Sequence, residues 1–446
     1  MLKLYNSATG EIQEFTPIDS NNVKIYSCGL TVYDKAHIGH ARTTIAVDIL
    51  VRLLKHLYKN VIYVRNITDV DDKINKRATE RGITIQELTK EVINYCDIDM
   101  QYINNLQPTF EPKATQHIKE IIEVIQRLIN NGNAYVSQGH VLFDVNSYKN
   151  YGKLSNKNTE DLKSGARIEV EDYKKNPLDF VLWKPSLDID DKSSKFESPW
   201  GIGRPGWHIE CSAMSHKYLG ENFDLHCGGV DLKFPHHENE VAQSCCAFPN
   251  STFAKYWFHT GFLMVNGEKM SKSLGNFTTI EEIRNKGIAG VVLRFAMLKN
   301  HYRKPLDFTD NLILEADKNL KDLHKNTIKL DCKYIVPSEL IECLCDDINT
   351  PKTLALLNEF NKNKEYEKLK NSLIFLGLFD ENLLNENKNI DNLSISEDEI
   401  NELIEKRNIA KQGKNWEECD KIRNYLRNKG ILLKDGKGET SWEVVK

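Results

Sequence analysis

Three consecutive segments near the start of the chain constrain its fold more than any other feature. Val23–Tyr26 reads as a short buried strand. A glycine-containing loop follows, then a helix from about His37 to Tyr58, on which Val47, Leu50, Val51, Leu54 and Leu57 recur at helical spacing. Next comes the β-branched, apolar run Val61–Asp69 (VIYVRNITD), which reads as a second strand. Strand, loop, helix, strand is a βαβ unit, and strands joined in this way lie parallel in one sheet. The expected fold class is α/β.

The pattern breaks from about Glu111 to Pro199. Two expected helices there lead into hairpin-like VLFDVNSY and then a charged, proline-containing stretch, which reads as an insertion in the sheet domain. The α/β character resumes near Gly206. Beyond about Leu312 the chain is helical in pattern and rich in Lys, Glu and Asn. The last segment, 401–446, holds 11 Lys/Arg against 8 Asp/Glu, hence +3, in a chain of net charge -4. The expected divisions are 1–110 and 200–255 for the two halves of the sheet domain, with 111–199 inserted between them. Residues 256–312, 313–400 and 401–446 then form a connecting region, a helical region and a small C-terminal region.

With 40% hydrophobic and 28% charged residues, the composition is that of a soluble globular protein. No run approaches the ~18 apolar residues of a membrane span, and the first residues lack a signal-peptide core. A cytoplasmic protein is expected. Because the bulk charge is negative, any nucleic-acid contact must rely on local basic patches. The ten cysteines show no disulfide spacing, so they are expected to be reduced, either packed in the core or bound to metal.

Four stretches carry candidate chemistry. His37-Ile38-Gly39-His40 opens the first helix, where free N–H groups and the positive dipole end suit phosphate. Two imidazoles can donate to phosphate oxygens, and Gly39 leaves room for a base or ribose. Alone, the stretch reads rather as a helix start with two surface histidines. Glu268–Asn276 (EKMSKSLGN) is a cationic loop whose Lys269 and Lys272 can close on a polyphosphate, or it is simply a solvated basic loop.

Phe234–Cys246 (FPHHENEVAQSCC) reads as a helix start. His236 and Glu240 are four apart and share a face, whereas His237 has Val241 at that offset, so His236 is favoured as a ligand. With Cys211 and Cys28 they would make a zinc site of two thiolates, one imidazole and one carboxylate. From spacing alone, buried structural cysteines are the stronger reading. In Val64–Ala78, Thr68 precedes Asp69, Asp71 and Asp72 at the end of a strand. That position suits ligand binding in a parallel sheet, or a capped helix start.

HIGH near the start and KMSKS far downstream resemble the paired signature of class I aminoacyl-tRNA synthetases. Further stretches narrow the resemblance: YSCGLTVYDKAHIGHAR, NITDVDDKI, EPKATQHI, GARIEV, PLDFVLWKP, SPWGIGRPGWHIECSAM, FPHHENE, EKMSKSLGNF and HYRKPLDFT. Together they resemble the cysteinyl-tRNA synthetase family. DDINTPKTL (Asp346–Leu354) is similar to that family's helical region, and NWEECDKIRNYLRNKGILLKD to its C-terminal region, so the resemblance runs essentially end to end.

The resemblance implies a class I synthetase Rossmann-like parallel sheet split by a connective insertion. A helical bundle that binds tRNA and a small C-terminal anticodon-binding region would follow. It implies cysteine–tRNA ligase activity: L-cysteine and ATP, with Mg2+, give cysteinyl-adenylate, and the cysteinyl group passes to the terminal adenosine of tRNA(Cys). It also implies one zinc ion per chain on Cys28, Cys211, His236 and Glu240, recognising the substrate thiolate. Trp207, Asp231 and Thr68 would line the amino-acid pocket. His37, Gly39, His40, Lys269 and Lys272 would bind ATP, the histidines and lysines acting in catalysis. A monomer is the family's expectation.

One departure stands out. Where the family usually reads HGGG-x-D, this chain has HCGGVD, His226–Asp231. Cys227 is expected at an ordinary negative-φ position with no metal role. Two alternatives share the zinc set and both signatures: a ligase that transfers activated cysteine to an amino-sugar, and a non-catalytic relative that binds tRNA or zinc. The basic tail with Trp416 favours tRNA, because a small-molecule ligase needs no anticodon reader.

Overall fold

The βαβ unit is present in the computed structural model as strand Val23–Thr31, helix Ile38–Leu57 and strand Val61–Thr68. The structure describes residues 1–157, 171–187, 191–270, 275–384, 396–413, 415–429, 431–435 and 440–444. The stretch GARIEV lies outside them. The chain divides into two units, residues 1–283 with 290–379, and residues 284–289 with 380–446.

In the first unit four parallel strands lie in the order Phe253–Thr260, Asn222–Gly229, Val23–Thr31, Val61–Thr68. Val23–Thr31 runs further than expected because it keeps pairing with Val61–Thr68 across a register shift between Ser27 and Leu30. Cys28 falls in that irregularity, and such irregularities re-aim side chains. From Val23–Thr31 the chain crosses to Val61–Thr68 on one side. From Asn222–Gly229 it passes through helix His236–Ala247 to Phe253–Thr260 on the other. The strand order reverses between the two central strands, and ligands of open α/β sheets bind in the crevice beyond the strand ends at such a point.

Helix Ile38–Leu57 packs Ile38, Ala41, Ile45, Leu50 and Leu54 into the core. It also carries a charge inside. Arg294 is fully buried and ion-paired with Asp48, and it donates to the carbonyl of Leu376 at 2.7 Å and to Asn105 Oδ1 at 2.9 Å. Arg52 donates to the same Asp48 carboxylate at 2.7 Å. Burial alone would raise the Asp48 pKa, but the two guanidiniums outweigh it and hold the carboxyl below its usual range.

The insertion differs from expectation in detail. Among its described residues a single α-helix, Ile118–Asn130, follows a 3-10 turn at Ala114–His117, where two helices were expected ahead of the hairpin. Strands Ala134–Ser137, His140–Phe143, Phe180–Pro185 and Gly203–Pro205 form a four-stranded antiparallel sheet. Its last strand lies beyond Pro199, where proline-containing GRP reads poorly as a strand but pairs at the sheet edge. Helices Asp310–His324, Ser338–Cys345, Thr350–Lys362 and Tyr366–Phe375 complete the first unit. Thr309 and Asn349 cap two of them by accepting from the N–H groups of Leu312 and Lys352.

The second unit holds helices Glu397–Gln412 and Trp416–Asn428 and the hairpin Ile431–Asp435 with Thr440–Val444. Ile400, Ile404, Ile422, Leu426 and Ile431 form its small core, which leaves Trp416 exposed.

Candidate active site

Four separate elements bring the metal candidates and their neighbours together. Cys28 comes from the irregular strand Val23–Thr31. Cys211 lies in the second turn of helix Trp207–Leu219, and His236 and Glu240 share the first turns of helix His236–Ala247. The fourth element, strand Asn222–Gly229, supplies His226. One potential ligand atom from each of Cys28, Cys211, His236 and Glu240 lies within 4.8 Å of all the others. The two sulfurs are 3.9 Å apart, Cys28 Sγ is 3.5 Å from Glu240 Oε1, and His236 Nε2 is 2.8 Å from the same oxygen.

Charge in the cluster fits a cation. Burial would pull His236 down, but Glu240 and Cys211 outweigh it and raise the imidazole to about 10. The hydrogen bond from Cys28, helped by His236, lowers the Cys211 thiol to about 6, while burial holds the Cys28 thiol up. Glu240 is held well below the usual carboxylate range: burial opposes ionisation, but His226 and His236 outweigh it. A thiolate and a carboxylate thus converge on an imidazolium proton. A divalent metal that takes that place displaces the proton and gains soft sulfur and nitrogen donors.

The four-residue offset to Glu240 favours His236 without excluding His237. His237 Nε2 lies 3.4 Å from Cys28 Sγ, and His226 Nε2 donates to Glu240 Oε2 at 2.6 Å. Cys28, His226, His237 and Glu240 therefore form a second possible ligand set. A helix-face argument considers one helix, whereas His226 arrives from a strand on the floor of the crevice. His237 Nδ1 is 2.7 Å from His259 Nε2, and protonated His236 donates through Nδ1 to His208 Nδ1 at 2.9 Å. His226, His259 and His208 were unassigned in the sequence, although His226 and His208 stand within quoted motifs; His237 was set aside in favour of His236.

Around the cluster, the Trp207 ring lies 4.2 Å from the His236 ring and is partly exposed. Thr68 is buried and donates to Glu210 Oε2 at 2.9 Å. Asn66 Oδ1 accepts from the Gly29 N–H at 2.9 Å and lies 3.7 Å from Cys211 Sγ. Asp231 sits in a short turn after Gly229, and a Cβ on Gly229 would collide with its carboxylate. Glu238, between the two ligand positions of its helix, points elsewhere: it accepts from the N–H groups of Gly152 at 2.9 Å and Ser155 at 2.8 Å. That pins the insertion to the helix.

Cys227 lies in the extended strand Asn222–Gly229, opposite Ser27 and Phe258. It is fully buried, and among the described residues it joins neither ligand set. Burial pushes its thiol up.

At the other end of the crevice His37 caps helix Ile38–Leu57. Its Nδ1 accepts from the His40 N–H at 3.3 Å, and His40 Nδ1 accepts from the His37 N–H at 3.2 Å, with the rings stacked at 3.5 Å. A neutral ring whose Nδ1 accepts carries its proton on Nε2, so both imidazoles are set as Nε2–H donors. Burial, and secondarily His37, keeps the His40 pKa well below the usual histidine value. A Cβ on Gly39 would stand 2.9 Å from the His37 ring and 3.3 Å from Met270 Cε. The reciprocal cap brings the His37 ring close to Gly39, so the position has no room for a side chain.

Lys269 ends the short strand Glu268–Lys269, exposed, with Nζ over the Phe262 ring at 5.8 Å. Lys272 lies outside the described residues. The returning limb is joined to the histidine motif: Ile38 N–H donates to Thr278 O and Ile280 N–H to Ala36 O, both at 3.0 Å.

The model of the family described as "tRNA synthetases class I (C) catalytic domain" matches residues 14–318. A cysteine–tRNA ligase of Ehrlichia ruminantium (strain Welgevonden) is 49% identical over 98% of this chain and 99% of its own length. The chain belongs to the class I cysteine–tRNA ligase family. It is an ATP-dependent ligase of protein biosynthesis. Cysteine–tRNA ligases of Rickettsia prowazekii (strain Madrid E), 49% identical over 97% of each chain, and Wolbachia pipientis wMel, 48% identical over 99% of this chain and all of its own, agree. The matches extend through the C-terminal region, the part that separates a tRNA ligase from an amino-sugar ligase. Among solved structures, the Mycobacterium tuberculosis methionyl-tRNA synthetase bound to methionyl-adenylate shares the fold, with TM-score 0.55 and 14% identity over 80% of this chain and 89% of its own. An Agrobacterium radiobacter K84 LeuRS does so with TM-score 0.54 and 10% identity over 81% of this chain and 84% of its own. No helix of the described residues is long and apolar enough to cross a membrane.

Proposed function

We propose that this ligase activates L-cysteine with ATP and transfers it to the terminal adenosine of tRNA(Cys). The observation that carries the proposal is the convergence of Cys28, Cys211, His236 and Glu240 in the crevice that the His37–His40 helix opens onto. The donor set fits zinc, which when bound supplies a soft Lewis acid for the substrate's thiolate and none for a serine hydroxyl. Apolar contacts alone separate groups of such similar size by only ~10–200-fold. Trp207 closes one side of the thiol site. Asp231 offers a carboxylate to the ammonium group, and Thr68 lies at the same end of the central strands.

His37 and His40 present Nε2–H groups toward the α-phosphate side. Lys269 and Lys272 neutralise the leaving pyrophosphate, where Mg2+ accompanies the ATP phosphates. The carboxylate of cysteine attacks the α-phosphorus, pyrophosphate leaves, and a ribose hydroxyl of the tRNA then attacks the activated carbonyl. The helical region and the basic tail, with exposed Trp416, suit tRNA contact, the tail reading the anticodon by stacking and phosphate pairing. The enzyme works as a cytoplasmic monomer in this reading.

Cys211→Ala tests the assignment. Zinc content and cysteine-dependent ATP–pyrophosphate exchange are expected to fall together, while the protein stays folded. Full zinc with undiminished discrimination against serine would refute it.

A further inference from the structure

The motif Asp346–Leu354 has no part in the reaction described so far, yet its second residue is heavily hydrogen-bonded. Asp347 is buried and has φ +56, followed by Ile348 at φ +52. Its Oδ1 accepts from the Tyr5 N–H at 2.8 Å and from the Tyr302 hydroxyl at 2.8 Å. Its Oδ2 accepts from Arg303 Nε at 2.8 Å and Nη2 at 2.7 Å. Charge-assisted bonds of this forked kind fix position as well as adding energy.

Tyr302 and Arg303 belong to an arc, 301–308, that supports the base of the lysine strap. The Gly261 N–H donates to Tyr302 O at 2.8 Å, and a Cβ on Gly261 would meet the carbonyl oxygens of Arg303 and Lys304 at 2.7 Å. Leu263–Val265 then pairs in parallel with Leu306–Phe308 and antiparallel with Glu268–Lys269. The turn between those last two strands is held by the same arc: Gly267 N–H donates to Asp307 Oδ1 at 2.9 Å and Asn266 N–H to Phe308 O at 3.3 Å. From the other side Arg42, two residues past His40, donates to the carbonyls of Met297, of His301 at 2.8 Å and of Asn300 at 3.2 Å. The arc therefore has two charged anchors. Arg42 ties it to the helix that carries the histidine motif, and Asp347 ties it to the helical region. The strap rises from it.

We propose that Asp347 is a positioning residue for the lysine strap: by holding Arg303 and Tyr302 it sets the arc on which Glu268–Lys269 is built, and so the approach of the strap to ATP. The inference rests on Lys269 acting at the ATP phosphates. It assigns no contact with substrate to Asp347. It makes the strap's seating depend on a side chain of the helical region, through one continuous set of hydrogen bonds and strand pairs.

Asp347→Asn isolates the ion pair. Asn tolerates the left-handed backbone and keeps an acceptor for Tyr5 and Tyr302, but its amide cannot accept from Arg303. In cysteine-dependent ATP–pyrophosphate exchange the KM for ATP is expected to rise about tenfold, a coupling of ordinary size, with the KM for cysteine and the zinc content unchanged. Arg303→Lys, which keeps charge but loses the fork, is expected to show a smaller rise of the same kind, and the double variant no more than Asp347→Asn alone. An unchanged KM for ATP in a folded Asp347→Asn overturns the inference. So does a parallel rise in both KM values, which is the mark of a merely structural residue. Lys269→Ala is the control: if it too leaves the KM for ATP and the exchange rate unchanged, the phosphate role of the strap fails, and not only its dependence on Asp347.

Discussion

The two ends of the crevice are built in opposite ways. At the end proposed for the thiol every candidate ligand side chain except Cys28 is fully buried, with Glu240 held by His226 and His236 by His208. At the phosphate end the histidines are held by backbone N–H groups, and the described lysine is exposed on a two-residue strand. The difference follows from the two tasks. Choosing sulfur over oxygen needs donors that are fixed and desolvated before the substrate arrives. Neutralising a polyphosphate needs cations that approach once it is bound, and a buried lysine would lose its charge.

The largest expected effect tests which histidine belongs to the rigid end. His236→Ala is expected to abolish stoichiometric zinc and lower cysteine activation by more than about 100-fold, whereas His237→Ala, a supporting position, lowers either by roughly 10–100-fold. Zinc analysis and pyrophosphate exchange on the two proteins check this. Should the order reverse, the metal belongs to Cys28, His226, His237 and Glu240, and the helix-face argument picked the wrong neighbour.

Lys269→Ala comes next and tests the contrast from the exposed end. The activation rate is expected to fall about 100-fold, the scale of one lost charge-stabilising donor. Zinc content and the KM for cysteine should not move. Loss of zinc in this variant would mean that the two ends are one rigid body, and the contrast would collapse.

The same division explains what the sequence could and could not reveal. The βαβ unit was legible because its apolar period is local to Val23–Thr68. So was the class of chemistry, because the two signatures are contiguous runs. The ligand set was not fixed by spacing: Cys28, Cys211 and the His236–Glu240 pair meet only through strand order, and Cys28 owes its aim to a register shift that no period announces. His226 was missed for the same reason, since its partner Glu240 lies on another element. Gly39 was singled out for its missing side chain, and the structure adds a reason that spacing did not show: a Cβ there would press on the His37 ring held by the reciprocal cap. The closing strand Gly203–Pro205 was hidden by its proline, which survives at a sheet edge because no ladder donor is required of it there.

The smallest effect belongs to Cys227, where the family resemblance implies a glycine. Successive residues of a strand face opposite sides. His226 points into the cluster and bonds Glu240, so Cys227, one residue on, points away into packing. Restoring the family's glycine removes a buried side chain and adds backbone freedom in a strand interior, at a combined cost of about 1–2 kcal/mol. Cys227→Gly is therefore expected to lower the unfolding free energy by about that much in urea denaturation, while zinc content and the KM for cysteine stay as they are. A variant that instead lost zinc would show that the Cys227 side of the strand supports the thiol end, and the rigid region would have to include both faces of Asn222–Gly229.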